Sequence, residues 1–239
     1  MIVSASALRR DCGYPRALDR QRKPTADQQA AMDRGTLFHA AIEAWARTRE
    51  VPVLEDLEMQ GWIDLLASTW APPVDGEYEV AWGLDGALED GVPPIYVEVD
   101  EPTPHVYVAR RGGALLTAGR ADGIWTGGDC SLVVCDWKTG KWPVTPGVDN
   151  LQVNAAGIAL ALKRGMTSYI PAIYYARDGY WDMGPRVVFG TPAFERIWGE
   201  IRAAALLDEQ PRPGPWCSGC WDRKLRRCTF AASPGAGAA

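Results

Sequence analysis

The spacing of apolar positions changes twice along the chain and divides it into three stretches. Over residues 25–49 they recur at helical intervals, with Phe38, Ile42 and Trp45 on one stripe, His39 beside it, and Gly35 marking close packing or a break. Residues 54–70 predict a second helix that ends before Pro72 and Pro73, because the residue before a proline is driven out of helical geometry. From residue 77 to 138 the period falls to two, and 78–82, 95–99, 106–110, 115–125 and 131–137 read as strands between turn residues. A helix over 150–162, strands over 168–176 and 186–189, and a last helix over 193–207 complete the order. The pattern predicts an α/β fold in which a mixed sheet is flanked by helices. Pro211, Pro213 and Pro215 lead into a cysteine-bearing loop, and residues 231–239, built only of Ala, Gly, Ser and Pro, are expected to be disordered.

With 239 residues and 47% hydrophobic content, the chain can bury one sizeable core, with or without an appendage. The apolar run over 155–162 is too short to span a bilayer. The first ten residues lack a basic leader followed by an apolar segment, so a cytoplasmic protein without membrane contact is expected. The net charge of −5 is unevenly distributed: residues 1–50 hold 9 Lys/Arg against 6 Asp/Glu, residues 210–239 hold 5 against 1, and residues 51–209 hold 11 against 23. Basic ends that meet in space would form a local phosphate-binding patch on an acidic molecule, whereas basic ends that stay apart are ordinary surface charge.

The chemistry concentrates in two neighbouring segments. In Leu132-Val133-Val134-Cys135-Asp136-Trp137-Lys138 the period of two sets Asp136 and Lys138 on one face, with Cys135 and Trp137 on the other. Asp122, in Gly119-Arg120-Ala121-Asp122, falls in a strand expected to pair alongside and supplies a second carboxylate. Two carboxylates and an ammonium directed at one point suit metal-assisted hydrolysis. Six cysteines without a secretion signal argue for metal binding or buried thiols rather than disulfides. Cys217, Cys220 and Cys228 lie in a loop-like setting and leave a four-coordinate site one ligand short, with Cys12 in a similar polar setting. Cys130 and Cys135 read as small buried thiols beside the strand that leads to Asp136.

Taken together, His39 on a helix, Asp122 after Gly119-Arg120-Ala121, Asp136-Trp137-Lys138 and a following helix with Gln152 resemble the PD-(D/E)XK nuclease superfamily. With one upstream and three downstream cysteines, the chain is most similar to the RecB-like branch that includes CRISPR-associated iron-sulfur exonucleases. The resemblance implies a restriction-endonuclease-like core. It also implies a catalytic Mn²⁺ or Mg²⁺ held by His39, Asp122, Asp136 and the main-chain carbonyl of Trp137, the imidazole favouring Mn²⁺. Lys138 would orient or deprotonate the attacking water, and Gln152 would position water or DNA. Glu79 would be an additional acidic site residue, with Glu77 and Glu98 as competitors for that place.

Cys12, Cys217, Cys220 and Cys228 would carry a [4Fe-4S] cluster, with a four-thiolate Zn²⁺ site as the alternative. The expected organisation is a single nuclease domain over 1–230, in which 25–210 form the core and 1–24 join 211–230 around the cluster. Three features depart from the family pattern: Asp136 stands where Glu is common, Ala156 where several relatives carry tyrosine, and the interval from Cys220 to Cys228 is longer than usual.

Other conspicuous residues have ordinary readings. Glu89-Asp90 and Asp100-Glu101 are expected in solvated turns, His105 at the surface, and most of the 11 tryptophans in the core. Trp216 and Trp221 beside Arg223-Lys224-Leu225-Arg226-Arg227 are the exception, since they interleave aromatic and basic groups as single-strand binding requires. The expected function is a metal-dependent DNA exonuclease acting on single-stranded ends, in recombination, repair or CRISPR adaptation, in a bacterium or a phage-infected host. The alternatives are a catalytically weak DNA-end-binding adaptor working with recombination or spacer-acquisition proteins, and a redox-sensing iron-sulfur protein.

Overall fold

The computed structural model describes residues 3–4, 8, 24–85, 92–103, 106–110, 115–140 and 144–206. Cys12, Cys217, Cys220 and Cys228, Glu89-Asp90, His105, Trp216, Trp221 and the tail over 231–239 lie outside the described residues. The elements are β1 (Val3–Ser4), α1 (Ala26–Thr48), α2 (Leu57–Ala67), β2 (Glu77–Asp85), β3 (Ile95–Val97), β4 (Val99–Thr103), β5 (Val106–Ala109), β6 (Thr117–Thr126), β7 (Leu132–Lys138), α3 (Leu151–Lys163), β8 (Ser168–Tyr175), β9 (Tyr180–Met183), β10 (Val187–Val188) and α4 (Pro192–Leu206).

Helix starts follow local chemistry. Thr25 and Gln28 close a capping box at α1, while the side chains of Asp56 and Asn150 accept amide protons at the first turns of α2 and α3. Three elements depart from the periodicity. The single strand expected over 95–99 is divided at Glu98 between β3 and β4, which lie in different sheets; β9 is only four residues long with no fully buried side chain, and β1 forms through backbone pairing with β6.

The main sheet runs β10-β8-β7-β6-β2-β3, with β9 also on β8 and β1 also on β6; β4 and β5 form a separate two-stranded sheet. Among the described residues, β7–β8 and β1–β6 are the parallel pairs, so the sheet is mixed as expected. Helices α3 and α4 cover one face, packing on Trp82, Leu84, Leu132, Val134, Tyr169 and Ile173. Helices α1 and α2 cover part of the other, packing on Trp125, Val133, Cys135, Trp137 and Tyr174. The β4–β5 hairpin covers the rest through Val99, Tyr107 and Ala118. Gly157 lets α3 lie close on β8, because a Cβ there would meet the Tyr169 ring at 2.3 Å. That ring also donates its hydroxyl to Asn154 at 2.8 Å.

Strand β6 is shared unequally. Strand β2 pairs along one edge from Leu84↔Thr117 to Glu77↔Ile124, whereas the other edge is divided between β1, at Thr117 and Ala118, and β7, from Gly123 to Thr126. Residues 119–122 therefore face an opening between two strands, and this opening sets where the site forms.

Candidate metal centre

At that opening two strands change facing together. On β2, Tyr78 packs under α1 and α2 but Val80 packs under α3; on β6, Ala121 and Ile124 both pack under α3, although they are three residues apart. The register places Glu79 opposite Asp122 at this switch, and Glu79 adopts a left-handed backbone with φ 53°. Such a conformation costs a non-glycine residue of order 1 kcal/mol, and strain of this kind concentrates at functional sites. The switch directs both carboxylates into the opening instead of into either core.

Helix α1 brings His39 to the same point. Its Nδ1 lies 3.3 Å from Glu79 Oε1 and 3.6 Å from Asp122 Oδ1, and its Nε2 lies 3.2 Å from the Trp137 carbonyl oxygen. The Trp137 amide donates to Asp122 Oδ2 at 2.7 Å, where the β6–β7 ladder has already stopped. Both backbone groups of Trp137 are held because its ring is wedged among Trp70, Trp181 and Tyr174, at centroid distances of 5.4, 5.5 and 5.9 Å. One turn before His39, Gly35 lies against Thr139, and Arg177 Nε donates to the Thr139 carbonyl at 3.1 Å, which fixes the chain beyond Lys138.

From the α3 side come Asp136 and Lys138. Lys138 Nζ is 2.5 Å from Asp136 Oδ2, and Gln152 Nε2 donates to Asp136 Oδ1 at 3.1 Å. The alternation expected for β7 holds, with Cys135 and Trp137 buried on the opposite face.

One donor atom each from His39, Glu79 and Asp122 lies within 4.8 Å of the others. Opposite ligands of a small divalent cation stand roughly 4.2 Å apart, so two carboxylates and an imidazole at this spacing fit Mn²⁺ or Mg²⁺ after slight contraction. Burial and the nearby charge of Asp136 push Asp122 up to about 7, against the pull of His39, Lys138 and the Trp137 amide. Burial alone would lower His39, but its hydrogen bond to Glu79 and the charges of Asp122, Glu79 and Asp136 raise it to about 9. Burial likewise opposes the charged forms of Glu79 and Lys138. His39 and Arg120 nevertheless hold Glu79 below its usual range, and Asp136 holds Lys138 above its own. Among the described residues, the His39 imidazolium, the Lys138 ammonium and, on Glu79, the Arg120 guanidinium thus stand beside the acids of the site.

Residues 4–224 match the family model of the PD-(D/E)XK nuclease superfamily. The chain belongs to this superfamily. Membership implies a divalent-metal-dependent nuclease with DNA as its substrate, and the mixed sheet between helices fits the fold. No curated protein matches the chain significantly. Among the described residues, no helix of this PD-(D/E)XK protein is long and apolar enough to cross a membrane.

The structure brings His39, Asp122, Asp136, Trp137, Lys138 and Gln152 to one place. Of the three acidic competitors, Glu77 pairs with Arg164 and Glu98 with Arg110, whereas Glu79 pairs with Arg120 and also lies beside His39. Glu79 is closer to His39 than Asp122 is, while Asp136 engages Lys138 and Gln152.

Two expectations are corrected. Glu101 is not in a solvated turn: it lies in β4 with its side chain 10% exposed, ion-paired to Arg120. Cys130 is not buried; it is an exposed residue with φ 61° in the turn before β7. Arg120 has no evident role in the sequence alone, although it stands in the Asp122 motif, two residues from a carboxylate on the same strand. That spacing was the available signal.

Proposed function

We propose that this chain is an exodeoxyribonuclease that hydrolyses single-stranded DNA from an end, in the cytoplasm, during recombination, repair or CRISPR adaptation. The observation that carries the reading is the meeting of His39, Glu79 and Asp122, with His39 also reaching the Trp137 carbonyl, next to the Asp136–Lys138 ion pair. His39, Asp122, Asp136 and the Trp137 carbonyl would hold a Mn²⁺ or Mg²⁺ ion, with Glu79 joining them. When bound, the cation supplies Lewis acidity toward the phosphodiester and lowers the pKa of water.

The protein's own part is positioning and charge. Gln152 holds Asp136, and Asp136 holds Lys138 as a charged ammonium. A lysine kept protonated is a poor base, so Lys138 acts by donating hydrogen bonds to the attacking water and to phosphate oxygens as negative charge grows there. The strand-end preference rests on the resemblance to the iron-sulfur exonuclease branch and on the aromatic and basic residues around Trp216 and Trp221. The proposed organisation is one domain over 1–230, with 1–24 and 211–230 joined by Cys12, Cys217, Cys220 and Cys228 around a [4Fe-4S] cluster, and it rests on the cysteine spacing and the resemblance to that branch.

Two assays test this reading. With Mn²⁺ present, linear single-stranded DNA is degraded while a covalently closed single-stranded circle survives; cutting of the circle overturns the exonuclease assignment. Binding of DNA ends without cleavage in any divalent metal would instead favour the adaptor. Anaerobically purified protein is expected to contain iron and acid-labile sulfide near a 4:4 ratio. A colourless protein with stoichiometric zinc replaces the cluster with a structural Zn²⁺ site.

A further inference from the structure

A line of polar contacts leads from the β4–β5 hairpin into the metal centre. Arg120 Nη1 is 3.3 Å from Glu79 Oε2, and its Nη2 is ion-paired with Glu101. The same Glu101 carboxylate accepts the hydroxyl of buried Tyr107, across the hairpin on β5. Glu101 is thus a nearly buried acid on a separate small sheet, in contact with a tyrosine of that sheet and with an arginine of the site. Arg120 is 41% exposed and reaches both Glu79 and Glu101, so its position between two acids is set by how strongly each attracts it.

We propose that Glu101 is a positioning residue: it is the counter-ion that shares Arg120 with Glu79, so that the guanidinium does not pair fully with the Glu79 carboxylate and leaves it able to bind a divalent cation. The argument is one of charge balance and rests on the metal-site reading above. Arg120 is neutralised by Glu101 and Lys138 by Asp136, so Asp136 enters the site with its charge already matched. The acidic donors toward the cation are then Glu79 and Asp122, with His39 beside them. Without Glu101, Arg120 turns its full charge on Glu79 and competes with the metal inside a poorly solvated pocket. The hairpin acts on the metal centre without touching it.

The test is Mn²⁺ binding by calorimetry at pH 8 without DNA. Glu101→Gln, nearly isosteric, is expected to bind about tenfold more weakly than the parent. Arg120→Gln removes the competitor and binds at least as tightly as the parent. The double variant returns to within about threefold of Arg120→Gln, which a merely structural loss would not do. DNA hydrolysis by Glu101→Gln is expected to recover at saturating Mn²⁺, so the defect lies in metal affinity and not in turnover.

Unchanged affinity in Glu101→Gln, a double variant as weak as Glu101→Gln, or weakened binding in Arg120→Gln overturns the proposal. If Glu101→Gln does not fold by circular dichroism, Arg120→Gln decides alone. A parent protein that takes up no Mn²⁺ overturns the metal site and this proposal together, whereas a parent that binds, with Glu101→Gln unchanged, overturns this proposal only.

Discussion

Replacing Lys138 with alanine is expected to slow hydrolysis of single-stranded DNA by about 10²–10⁴-fold, the range for losing a charged group that acts on the transition state. Mn²⁺ affinity should not fall, because the change removes a positive charge from beside the donor set. Stability responds separately. Asp136 has a side chain 7% exposed and loses the ammonium 2.5 Å away, so the variant without metal is expected to lose about 1–3 kcal/mol in unfolding free energy. Added Mn²⁺ should recover much of that loss, since a cation bound only by the folded state stabilises it. Rates at saturating Mn²⁺ combined with thermal melts, with and without metal, separate the two effects. Full activity in Lys138→Ala would sink the proposed chemistry.

Metal binding should depend steeply on pH, and the sign follows from the two raised groups. His39, at about 9, is protonated at neutral pH and must shed that proton to ligate a cation; Asp122, at about 7, must do so as well. Protons therefore compete with the metal, and affinity falls as pH falls. Between pH 9 and 7 one proton leaves per cation bound and affinity changes about tenfold per pH unit. Below pH 7 two leave, and it changes about a hundredfold per unit. From pH 8 to pH 6 the expected loss of Mn²⁺ affinity is about a thousandfold. Calorimetry in buffers of different ionisation enthalpy counts the released protons directly. A profile that stays flat over this range would exclude His39 as a ligand, and His39→Ala should flatten the upper limb while leaving the steepening below pH 7.

The two predictions address different parts of the site, and they differ in how visible those parts were along the chain. Asp136, Trp137 and Lys138 are consecutive in a strand whose alternation can be read directly, and their local roles follow from that alternation. Gln152 follows an N-cap asparagine at the start of a recognisable helix, so its place near the end of β7 is a short-range consequence of the connection. Glu79 has Glu77 and Glu98 as competitors along the chain. What sets it apart is its place beside His39, 40 residues away in sequence. Glu101 was misread because Asp100-Glu101 looks like a solvated acidic pair. Asp100 behaves that way, pairing with Arg110 at the surface, whereas its neighbour points inward, as successive strand residues do.

By itself the sequence determined the order of helices and strands apart from β1, β9 and the division of 95–103 into β3 and β4, the alternation that separates Asp136 and Lys138 from Cys135 and Trp137, and a donor set of histidine and aspartates suited to a divalent cation. These follow from local spacing and side-chain chemistry. The tertiary structure alone decided that β1 and β7 share one edge of β6 and leave an opening at Asp122. It also decided that β2 and β6 switch faces together at Glu79 and Asp122, and that the β4–β5 hairpin reaches the site through Glu101 and Arg120. Such features depend on which distant strands become neighbours, and the period of a single strand carries no record of its partner.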